Sequence, residues 1–343
     1  MKVRVHKIAS VVYRQSFKKT LSVTDNLSAQ PGNTVVVRAL REKRVYSELE
    51  LADGRMSKIF KGDVFVGALG RRRALRGFCG EVPSELHVGD TLQLLNRGGV
   101  LGGSTSEHMD FGQPVPCEVI GMPVRDGRIV RLGDHRIDIV ETLEGYQIPP
   151  IVAVSGTGMD AGKTRLIAEL IQQLAKSGLD VAGGKLTGIA CLRDLAAMED
   201  HGAVATASFL DVGHPSTAGL DCDELVIAAK TVISELAASD PDLIVLELGD
   251  GILGEYGVLD VFRDEEIRAA FQMHIFCACD PAGAWGGHRY LAERGIEIDL
   301  FSGPVTDTVV GSDCLQRTLG VTSINAHVAP DRLTRVVRER LAL

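Results

Sequence analysis

A chain of 343 residues, 45% hydrophobic and 24% charged, is too apolar for a disordered or fibrous protein and longer than one core usually supports, so two domains are expected. A net charge of −8 provides no overall field for gripping a polyanion, which argues against nucleic acid as a partner. Seven cysteines, an odd number with no C-x-x-C pair, suit reduced thiols in a cytoplasm; no apolar run reaches the roughly 18 residues of a membrane span, and the N-terminus lacks a signal-peptide core.

Residues 1–148 are expected to form a smaller β-rich domain, a barrel or a sandwich, because short β-like runs alternate with glycine turns and no long helical period intervenes. Strands are expected at 34–38, 44–51, 63–66, 91–95, 117–120 and 136–140. The basic cluster Arg71, Arg72, Arg73 and Arg76 reads either as a solvated loop or as a receiver for an anionic group. Residues 95–106, with four glycines, read either as a flexible connection or as a substrate loop whose backbone N–H groups converge on a ligand.

Pro149 and Pro150 mark a break, and residues 149–343 change pattern. Continuous apolar strands are expected at 151–154, 181–186, 243–246, 274–279, 298–301 and 321–324, with helices at 163–176, 223–238, 261–271, 283–294 and 330–341. Such alternation predicts an α/β domain with a mostly parallel sheet covered by helices, binding its ligand at the carboxyl ends of the strands. Cys277 and Cys279, two apart on one expected strand, should share a buried face.

Between the first strand and the first helix of this half lies Gly156-Thr157-Gly158-Met159-Asp160-Ala161-Gly162-Lys163-Thr164. Glycines there let backbone N–H groups approach phosphates, the helix N-terminus adds partial positive charge, Lys163 reaches the β- and γ-phosphates, and the Thr164 hydroxyl suits Mg²⁺. This is a P-loop, and the domain is expected to be a P-loop NTPase. Its first glycine stands one residue earlier than in the usual spacing.

That variant resembles the loop of the dethiobiotin synthetase family, which runs Gly-Thr, three variable residues, a small apolar residue and Gly-Lys-Thr. The segment Gly183-Gly184-Lys185-Leu186-Thr187-Gly188 is similar to the family's Gly-Tyr-Lys-Pro stretch, and the strand ending in Glu247-Leu248-Gly249-Asp250-Gly251 to its Glu-Gly-Ala-Gly-Gly. The resemblance implies that Lys185 contacts the transferred phosphate and a substrate carboxylate, and that Glu247 helps hold Mg²⁺. A second acidic metal ligand is implied downstream of Lys185; Asp194, Asp200 and Asp211 compete for the role, with Asp211 preferred for its polar surroundings, 211–217. Ile189 replaces a small polar residue of the family, which puts the dethiobiotin precursor itself in doubt. The segment 301–307 reads either as an ordinary strand-to-helix turn or as the place where Thr306 or Asp307 meets the base, with adenine or guanine left open. Trp285 and His288 either pack or line the site from another rim.

The expected protein is an ATP- and Mg²⁺-dependent enzyme that transfers the γ-phosphoryl group to a small carboxylate or carbamate, as a ligase does. It is expected to be a cytoplasmic homodimer bound to neither nucleic acid nor membrane. A nucleotide-dependent switch or accessory ATPase or GTPase, and a small-molecule kinase, are the alternatives.

Overall fold

The computed structural model describes residues 1–343, which fall into two compact units. The first comprises Met1–Asp138 together with Ile189–Arg193 and Phe209–Gly219; the second comprises Ile139–Gly188, Asp194–Ser208 and Leu220–Leu343. The expected division at 148/149 therefore shifts to Asp138, and two short segments from the later part of the chain belong to the first unit. No helix is long and apolar enough to cross a membrane.

In the first unit, strand Pro116–Arg125 pairs with Thr34–Ala39, which pairs with Val64–Leu69, which pairs with Val100–Glu107; Thr91–Leu94 joins Val100–Glu107 back to Pro116–Arg125. The pairing returns to its starting strand, so these strands form a closed barrel, which leaves no free sheet edge within the ring. Its strands are covered on both faces: the successive residues Val35, Val36 and Val37, and Phe65 and Val66, together with Leu101 and Cys117, have no measurable exposure. The expected strand at 44–51 shrinks to Glu48–Glu50, because Tyr46 takes a positive φ of 57° and turns the chain. Residues 136–140 form no strand; a 3₁₀ turn at Leu132–His135 precedes them, and Ile137 N donates to Asp211 O. The basic cluster is divided: Arg72 is buried against Leu95 O and the Tyr46 hydroxyl, Arg71 and Arg73 pair with Glu81 at a partly solvated surface, and Arg76 is exposed.

The second unit holds strands β1 (Ile151–Gly156), β2 (Val181–Thr187), β3 (Ala205–Ser208), β4 (Leu243–Leu248), β5 (Phe271–Cys277) and β6 (Leu300–Ser302). They lie in the order β3-β2-β4-β1-β5-β6, and every pair is parallel. Helices α1 (Lys163–Lys176), α2 (Leu192–Asp200), α3 (Cys222–Ala237), α4 (Val258–Arg263), α5 (Glu265–Ala270), α6 (Pro281–Ala292), α7 (Val309–Leu319) and α8 (Pro330–Leu341) connect and cover them. The stripe Leu166, Ile167, Leu170, Ile171 and Leu174 on α1 is buried against Val152, Val154 and Val245 of the sheet. The single helix expected at 261–271 is two, because Asp264 leaves helical geometry and its carboxylate caps Ile267 N. The expected strand at 321–324 is reduced to one bridge, Phe301 to Ser323. Cys277 ends β5 and is buried, whereas Cys279 lies beyond the strand and is exposed, so the two do not share a core face.

Candidate functional site

Strand β1 is buried along its whole length between β4 and β5 and carries the chain to the sheet's carboxyl edge. Thr157 N donates to Cys277 O at 2.9 Å, which fastens the start of the loop to the end of β5. At the loop's far end Gly162 has φ 89°, a conformation costly for any side chain, and turns the chain into α1. The first turn of α1 contains no acidic residue, so its unpaired N–H groups and the positive end of its dipole remain attractive to an anion.

Lys163 is 2% exposed, and its Nζ donates to Gly158 O at 2.7 Å and to Asp250 O at 2.6 Å. Burial pulls its pKa down, against the attraction of Glu247. Its two acceptors are neutral carbonyls, and a phosphate oxygen is a stronger partner than either. Thr164 Oγ1 donates to the Glu247 carboxylate, 3.2 and 3.3 Å from its two oxygens.

Glu247 and Lys185 are direct partners across the β4–β2 ladder. Burial raises the Glu247 carboxyl pKa, and the ammonium of Lys185 is the largest influence opposing it; Asp194 adds to the rise and Lys163 works against it. Lys185 Nζ is ion-paired with Asp194, which lies in the first turn of α2. Two ammonium groups, two carboxylates and a hydroxyl thus converge at the ends of β2 and β4 and the start of α1.

The hydroxyl and carboxylate oxygens of Thr164 and Glu247 form a hard donor set. No cluster of three or more His, Cys, Asp or Glu side chains suited to a metal occurs. One or two protein oxygens fit Mg²⁺ in a nucleotide site, where phosphate and water complete the octahedron.

Asp211 is not part of this arrangement. It belongs to the first unit, where it is 4% exposed, accepts from the Tyr13 hydroxyl and pairs with Arg14 at 3.0 Å. Burial, then the Asp211 charge, pushes the Tyr13 phenol pKa well above its ordinary range. The acid beside Lys185 is Asp194, and Asp200 is exposed at the far end of α2. Thr306 is 5% exposed and spends its hydroxyl on Gly303 O at 2.7 Å, whereas Asp307 is exposed. Met159 is 39% exposed on the loop; Trp285 is 52% exposed on α6, and His288 Nδ1 is buried without a hydrogen-bond partner.

The glycine-rich run at 95–106 contains a strand, Val100–Glu107, and a tight crossing before it. A Cβ on Gly98 would come within 2.2 Å of Ala190 O, and Asn96 Nδ2 donates to the same oxygen at 2.7 Å. These small residues bring Ile189–Arg193 against the barrel within the first unit, so the run is a strand and a packed crossing rather than a flexible connection. Sequence reasoning missed Glu50, which is fully buried and accepts from Ser10 Oγ and, at 2.8 Å each, from Leu192 N and Arg193 N. It therefore caps α2 two residues before Asp194.

The parallel order with the phosphate loop after β1, Glu247 at the end of the neighbouring β4 and the lysine opening α1 decides the architecture. The second unit has the P-loop NTPase fold. No protein-family model matches the chain. No curated protein matches it. Among solved structures, the signal recognition particle receptor FtsY from Elizabethkingia anophelis is 16% identical over 56% of this chain, with a TM-score of 0.38. The hydrogenase maturation factor HypB from Archaeoglobus fulgidus is 16% identical over 56% of this chain and 90% of its own, with a TM-score of 0.39. Signal recognition particle 54 kDa protein from Aeropyrum pernix is 13% identical over 58% of this chain and 50% of its own, with a TM-score of 0.37. The match spans about 60% of the length of the FtsY receptor. Likeness at this level says nothing of substrate or partner.

Proposed function

We propose that this P-loop NTPase unit binds a Mg²⁺-nucleoside triphosphate and that hydrolysis acts as a switch on the β-rich unit. Lys163, with the loop N–H groups, would hold the β- and γ-phosphates. Thr164 and Glu247 would hold Mg²⁺, which neutralises charge on the transferring phosphoryl group. Lys185 would complete the charge balance against the γ-phosphate.

The observation that carries the switch reading is the course of the chain at α2. Its first turn holds Asp194, the ion-pair partner of Lys185, and the two residues just before, Leu192 and Arg193, have their N–H groups bound by Glu50 of the first unit. A γ-phosphate competes with Asp194 for Lys185 and repels the freed carboxylate. The start of α2 therefore has two electrostatic preferences, set by nucleotide state, and a direct covalent route into the other unit.

Transfer to a small carboxylate or carbamate is the second reading, favoured by the two lysines converging on one phosphate position. Hydrolysis assays and hydrogen exchange separate the two. The switch reading expects slow triphosphate turnover without any small acceptor, and exchange at Leu192 and Arg193 that differs between di- and triphosphate. Turnover strictly dependent on an added carboxylate, with exchange at those amides unchanged, would overturn it in favour of transfer.

A further inference from the structure

We propose that Arg72 and Arg97, held against the ring of Tyr46, form an oxyanion site in the first unit that takes a small phosphate monoester. The group lies wholly within the barrel unit and shares no residue with the P-loop site, so it stands whether or not that site binds a nucleotide. Arg72 comes from the basic run 71–76 and Arg97 from the glycine-rich run 95–106, two stretches to which the nucleotide site gives no role.

Both guanidiniums sit over one ring. The central carbon of Arg97 is 4.9 Å from the Tyr46 centroid, and that of Arg72 is 5.7 Å from it. Arg72 is 3% exposed, and its Nη1 donates to two neutral acceptors, Leu95 O and, at 3.0 Å, the Tyr46 hydroxyl. The Arg97 side chain makes no hydrogen bond, and the Nε of each arginine is buried without a partner. Neither forms a salt bridge, whereas Arg71 and Arg73 on either side of Arg72 both pair with Glu81. Tyr46 takes φ 57°, an unfavourable backbone for an aromatic residue, and its ring is fixed edge-to-face on Phe78 at 5.0 Å.

Two like charges on one ring repel each other, and the ring's π-face attracts each less strongly than an anion does. A buried charge without a counter-charge is costly, so the arrangement favours a solute that supplies one. A guanidinium is planar and offers paired N–H groups that match two oxygens of a phosphate. A phosphate monoester carries close to two negative charges above its second pKa of about 6, which balances both arginines; a carboxylate balances one. Arg97 is partly exposed and is the donor a solute meets, while the buried Arg72 adds a second fixed charge. The rings of Tyr46 and Phe111, 5.6 Å apart and both partly exposed, offer apolar surface to the organic part of the ester.

The test is calorimetric titration of the full chain near pH 7.5 with phenyl phosphate, inorganic phosphate and phenylacetate. Wild type, Arg97→Met, Arg97→Lys and Lys163→Ala are compared, the last to remove the lysine of the P-loop. Phenyl phosphate is expected to bind wild type and Lys163→Ala alike, and at least about tenfold more tightly than either other probe. Arg97→Met should weaken it about 10- to 100-fold, and Arg97→Lys, which keeps the charge but not the fork, by about tenfold. Phenyl phosphate should also raise the melting temperature of wild type and leave that of Arg97→Met unchanged, and a cooperative melt shows that each variant is folded. Binding that survives Arg97→Met, or that Lys163→Ala abolishes, belongs to another site and overturns the proposal. Phenylacetate or inorganic phosphate bound as tightly as the ester overturns the ligand class. No binding by folded wild type means that the two arginines only pack against Tyr46, and overturns it as well.

Discussion

Glu247 and Asp211 are both buried acids, yet their surroundings give them different work. Glu247 faces Thr164 and two lysines, so Glu247→Gln should lower Mg²⁺-dependent triphosphate hydrolysis by about 100-fold or more while changing the melting temperature little. Asp211 satisfies Tyr13 and Arg14, so Asp211→Asn should cost about 1–3 kcal/mol of stability and leave nucleotide affinity unchanged, a contrast that thermal melts and calorimetry read directly. Sequence reasoning favoured Asp211 because 211–217 is polar; polarity marks where hydrogen bonds are needed, not which partners meet them. His274 gives a pH prediction. Its Nδ1 faces Glu297 O at 2.8 Å, which requires a proton there, and its Nε2 then accepts from Ser155 Oγ at 2.7 Å at the end of β1. Burial holds its pKa down at about 4, against an ordinary 6.5. The unfolded chain therefore takes up a proton in a window where the folded chain does not. The stabilisation is complete above pH 6.5 and is lost as pH falls towards 4, about 3 kcal/mol in all. Denaturant titrations of wild type and His274→Gln across that range should show a shallower acid limb in the variant; identical limbs would refute the assignment.

Elements whose apolar pattern repeats locally could be read from the sequence alone, and those defined by a partner far along the chain could not. Helix α1 was visible because its buried stripe and the preceding glycine lie within one window, and β1 and β4 because they are continuous apolar runs. The break between α4 and α5 had a local signal that periodicity overrode: Asp264 followed by Glu265 and Glu266 is an N-cap with an acidic first turn. Helix α2 offered no strong stripe, and its cap, Glu50, is 142 residues away in sequence. Two substitutions measure what that cap and its packing contribute. Glu50→Gln should destabilise the protein by about 1–2 kcal/mol and speed hydrogen exchange at Leu192 and Arg193, since the amide keeps one acceptor oxygen, sets an NH2 donor against the other N–H and removes the charge that complements the helix dipole. Gly98→Ala meets a backbone oxygen at 2.2 Å rather than a movable side chain, so a larger loss of melting temperature is expected than for Gly127→Ala, whose Cβ meets nothing within 4 Å although its φ is also unfavourable.

For the whole molecule, two domains and an α/β P-loop NTPase half were legible because the switch from β-turn to strand–helix alternation occurs near the paired prolines. The closed ring of the first half was left as a choice between barrel and sandwich, since strand pairing order is not written in any one strand. Equally hidden was the membership of Ile189–Arg193 and Phe209–Gly219, which a linear reading assigns to the nucleotide half and the fold gives to the other. The consequence concerns dissection. No single scission divides this chain into two self-sufficient pieces: a fragment ending near residue 148 would lack Asp211 for Tyr13, Leu192 and Arg193 for Glu50, and Ala190 for Asn96. A protease nick engineered into 144–148 should thus yield two polypeptides that co-elute under native conditions and separate only in denaturant. The interleaved chain would behave as one inheritable module, with neither half free to be lost or exchanged alone.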